Sequence, residues 1–283
     1  MKTFGYYPGC SLESTAKEYD FSIRKLCEEF DIGLKEIPDW NCCGASSGHF
    51  TDFKLSLALP ARVLCIAESL GLDVVVPCPA CFLRLRKTEY EFSREENTGL
   101  KEEILKTLGI SYKGNIDSRH ILEIFFKDIG IDKIRQKVKI PLTGLRVVSY
   151  YGCLLVRPPK LIRLGDPENP TMLDEIVEAI GAKSIDWPSK IDCCGGSLAL
   201  SRPDLVTQLV DKIIKMARRA KADCIITACP LCQVNLDTRQ NPKESIPVFY
   251  FTELIYLSLG IKDMKYLLKK HIVNPFSVLK SYL

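Results

Sequence analysis

Ten of the chain's 13 cysteines fall into two sets of five, in one order and at nearly one spacing. The first set is Cys10, the pair Cys42 and Cys43, and the Cys-x-x-Cys of Cys78 and Cys81. The second is Cys153, the pair Cys193 and Cys194, and the Cys-x-x-Cys of Cys229 and Cys232. In both, 34 residues separate the pair from the Cys-x-x-Cys, while the first spacer is 31 residues in one set and 39 in the other. Soft sulfur ligands favour zinc or iron–sulfur chemistry over hard cations. A closed zinc site or a cubane cluster takes four thiolates, and each set offers five. Adjacent side chains such as Cys42 and Cys43 diverge, so two neighbouring irons of a larger cluster suit them better than one small ion. Spacing therefore ranks an iron–sulfur cluster ahead of zinc and leaves both open.

The other reactive side chains carry two readings each. Cys27 and Cys65 sit inside helical patterns and Cys224 opens a strand; a free cysteine there behaves as a small hydrophobe. His49, six residues past Cys43 in the loop GASSGHF, is a proton shuttle for the pocket or a helix-start and packing residue. His120 reads as structural and His271 as a surface residue. Arg157, Lys160 and Arg163 follow Cys153 in RPPKLIRLGDPENP, residues 157–170, where the two halves differ in length. They could hold an anionic substrate tail or a carrier protein, or could belong to a solvated loop.

The elements that must position these thiols repeat as well. TFGYYPGC matches VVSYYGC, IGLKEI matches IGAKSI, and DVVVPCPAC matches CIITACPLC, so the chain is a duplication of one module. Each module starts with a short β-rich run, Phe4–Tyr7 or Val147–Tyr151, that ends at the first cysteine. A helical pattern follows (FSIRKLCEEF or TMLDEIVEAI), stopped by Gly33 or Gly181. A second strand at Leu34–Ile37 or Lys183–Asp186 leads to the cysteine pair, and a second helix runs through LALPARVLCIAESLG or LVTQLVDKIIKMARRA. A third strand, Asp73–Val76 or Ile225–Ala228, delivers the Cys-x-x-Cys. Alternating strands and helices predict an α/β fold, a tandem duplication of two Rossmann-like parallel-sheet modules. All ten cysteines then lie beyond strand carboxyl ends, the edge where such sheets bind ligands. The expected domains are 1–140, with a helical excursion at about 88–140 in which SRHILEIFF is a packed helix, and 141–283.

Composition narrows the class. With 39 basic and 35 acidic side chains the net charge is +4, too balanced for a nucleic-acid reader that must neutralise many phosphates. No apolar run approaches the roughly 20 residues of a membrane span, and MKTFGYYPGC carries no signal-peptide core, so a cytoplasmic protein is expected. In a reducing compartment so many thiols bind metal or do redox chemistry. The C-terminal stretch VFYFTELIYLSLGIKDMKYLLKKHIVNPFSVLKSYL sets Met264, Leu267, Leu268 and Ile272 at helical spacing, with Lys265, Lys269 and Lys270 on other faces. Docking on the core or on another protein of a complex is expected of it, with peripheral membrane contact as the alternative.

Two copies of the CCG pattern resemble the cysteine-rich domains of the B-subunit family of heterodisulfide reductase, over nearly the whole chain. The resemblance implies two non-cubane [4Fe–4S] clusters, one on each set of five cysteines, facing one another across a cleft where a disulfide is split in one-electron steps. As partners it implies the flavin-bearing A-subunit together with the ferredoxin-like C-subunit, since the chain has no ferredoxin C-x2-C-x2-C-x3-C run of its own. The methanogenic B-subunit has a histidine directly after the first cysteine of its second module, where this chain has Leu154. The stretch YYPGCSLESTAKEYD…DWNCCGASSGHF is closer to bacterial heterodisulfide-reductase-like proteins, including those of sulfur-oxidising complexes, which implies sulfur on a carrier as substrate. Two other classes compete with this one: an electron relay between a flavoprotein and a quinone, and a zinc-stabilised interaction module.

Overall fold

The computed structural model describes residues 2–261 and 267–283. Its strands form two four-stranded, wholly parallel sheets. The first holds β1 (Lys2–Tyr6), β2 (Ile32–Glu36), β3 (Val74–Val76) and β4 (Ser118–His120) in the order β2-β1-β3-β4. The second holds β5 (Arg146–Tyr150), β6 (Lys183–Ser184), β7 (Cys224–Thr227) and β8 (Val248–Tyr250) in the order β6-β5-β7-β8. Two tandem α/β modules of one topology are therefore present. The central strands β3 and β7 are buried along their whole length, as VVV and CIIT require when helices cover both faces.

The helices of the first module are α1 (Gly9–Glu13), α2 (Lys17–Glu29), α3 (Gly48–Thr51), α4 (Phe53–Ser69), α5 (Pro79–Phe92), α6 (Thr98–Leu108), α7 (Ile121–Glu123) and α8 (Ile131–Lys137). Those described in the second are α9 (Pro159–Ile162), α10 (Met172–Ala179), α11 (Pro203–Arg219), α12 (Pro230–Thr238), α13 (Phe251–Ser258) and the short α14 (Phe276–Leu279). Three details differ from the sequence reading. Helix α2 stops at Phe30, followed by Asp31 at φ 59°, and Gly33 lies inside β2. SRHILEIFF is not helical throughout: Ser118–His120 pair with Val74–Val76 as β4 before α7 begins. Each module thus has a fourth strand that the sequence did not reveal. Three residues buried among neighbours are too few to show alternation.

The modules pack through equivalent elements. Helix α2 lies on α13, and α10 lies on α8, so the helix after the first strand of each module meets the helical end of the other. The seam contains stacked Tyr19 and Tyr250, with centroids 4.1 Å apart, and edge-to-face Phe125 and Phe251 at 5.3 Å. The Ser22 and Thr252 hydroxyls bond across it at 2.7 Å. One apolar core runs through the seam from Phe4 to Leu279.

Leu267 and Leu268 are fully buried in that core, whereas Ile272 is 71% exposed. Met264 and Lys265 lie outside the described residues. His271, expected on the surface, is buried: its Nε2 lies 2.9 Å from Glu253 Oε1, both side chains closed to solvent. Among the described residues no helix is long and apolar enough to cross a membrane.

Candidate metal centres

Parallel topology decides where the cysteines meet. Strand order reverses between β1 and β3, and between β5 and β7, and the carboxyl ends at such a point are where open parallel sheets bind ligands. Cys10 follows β1 at the start of α1, and Cys78 follows β3 as the N-cap of α5. Cys229 is likewise the N-cap of α12, and there alone the Sγ accepts a cap bond, from the Cys232 amide at 3.4 Å. The cysteine pairs arrive on loops after β2 and β6. Cys43 and Cys81 are 3.2 Å apart (Sγ to Sγ), Cys194 and Cys232 3.5 Å, and Cys153 and Cys193 3.8 Å. Cys43, Cys78 and Cys81 are buried, as are Cys194, Cys229 and Cys232; Cys10, Cys42 and Cys193 are exposed and Cys153 is half-buried. Each set therefore has a buried floor and an open rim. Among the described residues no group of three or more His, Cys, Asp or Glu side chains has single-ion geometry; the thiols stand in contacting pairs.

Electrostatics divides protons unevenly within these pairs. Bonds from Cys42 and Cys81 hold Cys43 far below the ordinary thiol range, and the bond from Cys232 lowers Cys194. Their partners Cys81 and Cys232 are pushed up by the same bonds and by burial. Stable thiolate character at the second cysteine of each pair is what a soft metal requires.

Two further residues per module shape the site. Gly9 and Gly152, each just ahead of the first cysteine, have φ of +68° and +65°. A Cβ there would stand 3.2 Å from Cys81 Sγ or 3.0 Å from Cys232 Sγ, so the backbone approaches the thiols closely where only glycine fits. Below the thiols, the Tyr7 hydroxyl donates to the Asn41 carbonyl at 2.8 Å and the Tyr150 hydroxyl to the Asp192 carbonyl at 2.6 Å. Those carbonyls immediately precede the cysteine pairs. Burial and the surrounding thiolates push both phenols upward, which keeps them as donors. The sequence reading missed this tyrosine pair. Pro8 displaces Tyr7 by one position relative to the second copy, and the matching Tyr-Tyr dipeptides concealed that Tyr7 is the counterpart of Tyr150.

The donor set and the glycine cradles fit a thiolate-held cluster. In the first module Cys10, Cys42, Cys43, Cys78 and Cys81 would hold it; in the second, Cys153, Cys193, Cys194, Cys229 and Cys232. The remaining thiols are burial residues: Cys27, Cys65 and Cys224 are buried, and desolvation raises the first two to about 12. His120 is also structural. Its Nε2 lies 2.9 Å from the Pro77 carbonyl beside Cys78, its Nδ1 accepts from the Leu122 amide, and burial lowers it to about 3.

The outlying candidates separate. His49 lies on α3, Nδ1 3.4 Å from the Gly44 carbonyl, with its ring against exposed Phe50; it braces the loop after Cys43. Arg157 turns away to pair with Glu168 at 3.0 Å. Lys160 and Arg163 instead reach the first module, where they line a cavity of about 290 Å³ with Arg86, Tyr90, Lys101 and Tyr112. The Lys160 ammonium bonds the Tyr90 hydroxyl.

Fold and sequence together define a tandem α/β protein with five cysteines at the carboxyl edge of each sheet. A family model described as a cysteine-rich domain, CCG, matches residues 4–86 and 147–237. The chain belongs to that cysteine-rich family, the family of the heterodisulfide reductase B-subunit. It is 32% identical over 284 residues to the 8-methylmenaquinol:fumarate reductase membrane anchor subunit of Wolinella succinogenes, covering 97% of this chain and 98% of that one. It is 31% identical over 272 residues to the B-subunit of the ferredoxin/F(420)H(2)-dependent CoB-CoM heterodisulfide reductase of Methanosarcina acetivorans, covering 92% and 90%. Among solved structures, a hypothetical protein from Helicobacter pylori shares the fold, with a TM-score of 0.72 at 13% identity over 96% of this chain and 52% of that one.

Proposed function

We propose that this chain is the catalytic iron–sulfur subunit of a heterodisulfide-reductase-like complex, with a non-cubane [4Fe–4S] cluster on the five cysteines of each module. The observation that carries the reading is the open rim: Cys10, Cys42 and Cys193 are exposed above a floor of buried thiols. A centre built only to relay electrons gains from burial of all its ligands, whereas a centre that meets a substrate sulfur needs one accessible side. Such clusters supply one-electron transfer. The chain's own part is to hold the thiolates, exclude water from the floor and leave the rim open to a disulfide, a thiol or carrier-bound sulfur. Lys160 and Arg163, at the end of α5 remote from Cys78 and Cys81, would meet a carrier protein rather than the reacting sulfur. The ferredoxin-like and flavin-bearing subunits of such a complex would complete the electron path in the cytoplasm.

A second reading has support of its own. The Wolinella relative is named as the membrane anchor of a menaquinol-linked reductase, which favours electron relay between a flavoprotein and a quinone at a membrane surface. Anaerobically purified protein should contain about eight irons and equal sulfide per chain. The reduced protein's electron paramagnetic resonance spectrum should change when a disulfide or thiol is added. One or two zincs without iron would overturn both redox readings. Full iron with a spectrum blind to thiols and disulfides but responsive to a quinone analogue would favour the relay.

A further inference from the structure

The two modules are copies, so positions that differ around otherwise equal thiols isolate what each centre feels. Three such positions stand out. The residue three past the last cysteine is Arg84 in α5 and Asn235 in α12. Asn235 Nδ2 shows what this helix face meets: it lies 3.3 Å from the Cys194 carbonyl oxygen and 3.7 Å from Cys194 Sγ. Arg84 holds the equivalent place on α5, three residues past Cys81, whose Sγ stands 3.2 Å from Cys43 Sγ, and its charge acts on Cys43. Among the described residues the half-buried Arg84 guanidinium has no ion pair. The residue before the cysteine pair is neutral Asn41 in the first module and Asp192 in the second, where the carboxylate acts on Cys193. Five residues past the glycine of each Cys-Cys-Gly, the first module has the imidazole of His49 and the second has Leu200.

The other charges near the pairs are held in ion pairs: three residues ahead of the cysteine pair the first module has Asp39, paired with Arg62, and the second has Lys190, paired with Asp174 and Asp186. Asp192 pairs with Lys212 at 3.1 Å, but that ammonium sits out in solvent. Arg239 stands one turn behind Asn235, bonded to its Oδ1 at 3.3 Å and to the Ala199 carbonyl at 3.1 Å. In the first module Arg62 lies behind Asn41 and is paired with Asp39. Near the thiols themselves, then, the first module presents a cation where the second has an amide, and an amide where the second has an anion.

We propose that these substitutions make the two centres unequal, with the first-module centre the more readily reduced and the first to accept an electron from the one-electron donor. The inference rests on the reading that each module holds a redox centre. Reduction adds one negative charge to a centre and takes one electron from the donor. A nearby guanidinium stabilises that charge and a nearby carboxylate opposes it, in a partly dry site where screening is weak. The second centre then carries the harder reduction, and the pair has a direction.

The test is a redox titration of the full chain, loaded with iron and sulfide and followed by electron paramagnetic resonance with a chemical one-electron reductant. Two separate one-electron waves are expected. Arg84→Gln should lower the higher wave and leave the lower one in place, whereas Asp192→Asn should raise the lower wave. Asn235→Arg should draw the waves together. Iron-loaded protein whose waves ignore all three substitutions, or in which Arg84→Gln moves the lower wave, would overturn the inference while leaving the iron–sulfur reading intact. Protein that takes up zinc and no iron would overturn that reading, and this inference with it.

Discussion

At the scale of single residues, the site depends as much on what is absent from Gly9 and Gly152 as on the thiols. Gly152→Ala would combine an L-residue at φ +65° with a Cβ 3.0 Å from Cys232 Sγ. The backbone strain alone costs about 1–2 kcal/mol, and the contact falls on a proposed ligand. We expect the variant to lose the second module's iron and keep the first, so that iron and sulfide fall by about half. Gly165→Ala is the control, because φ is +89° there and a Cβ would meet nothing within 4 Å. Equal iron loss in both variants would show that the effect comes from strain rather than from the thiol contact. The ten cysteines stand out in the sequence because residue type and spacing repeat in contiguous chain. Tyr7, Tyr150 and the glycines do not, since a phenol under a loop and a missing Cβ gain meaning only from their neighbours.

At the scale of elements, the C-terminal segment is held by a buried ionic cluster. Burial alone would lower His271, but Glu253, bonded to it, and then Asp237 and Glu18 outweigh that and raise it to about 9. The carboxylates come from α13, α12 and α2, and Lys270 lies beside the cluster and acts on Glu18. A histidine raised above its unfolded value of about 6.5 contributes stability that is fully present below that pH and is lost as pH rises through about 9. The melting temperature should therefore fall by several degrees between about pH 6.5 and 9, and His271→Gln should be less stable at pH 6 and flat across this window. A melting temperature just as pH-dependent in the variant would show that another group is responsible. Sequence alone put His271 on the surface because its partners come from distant stretches of chain; Glu18 lies in the other module.

At the scale of the whole molecule, two modules become one body, packed through α2 with α13 and α8 with α10. Leu200 is 98% exposed and Phe50, in α3, is 75% exposed, each on the segment that follows a cysteine pair. These two side chains occupy equivalent segments of the two modules, so each can be tested for contact with another protein. We expect Leu200→Asp and Phe50→Asp to leave iron content and melting temperature unchanged while weakening association with the redox partner by tenfold or more, as measured by co-purification and titration. Unchanged association in both variants would move the docking surface elsewhere.

What the sequence by itself determined is whatever repeats locally: two modules, parallel α/β order, and ten thiols at the carboxyl edge. Cysteine spacing and the strand–helix alternation are properties of contiguous chain, so they survive being read in one dimension. Tertiary structure alone decided the rest. It added β4 and β8, whose three residues carry no periodic signal, and it turned Arg157 toward Glu168 while sending Lys160 and Arg163 across to the first module. It also brought the charge of Arg84 to bear on Cys43 and the amide of Asn235 to Cys194, so that two copies of one module acquired different surroundings. Those relations are distances between residues far apart in the chain, and only packing brings them into contact.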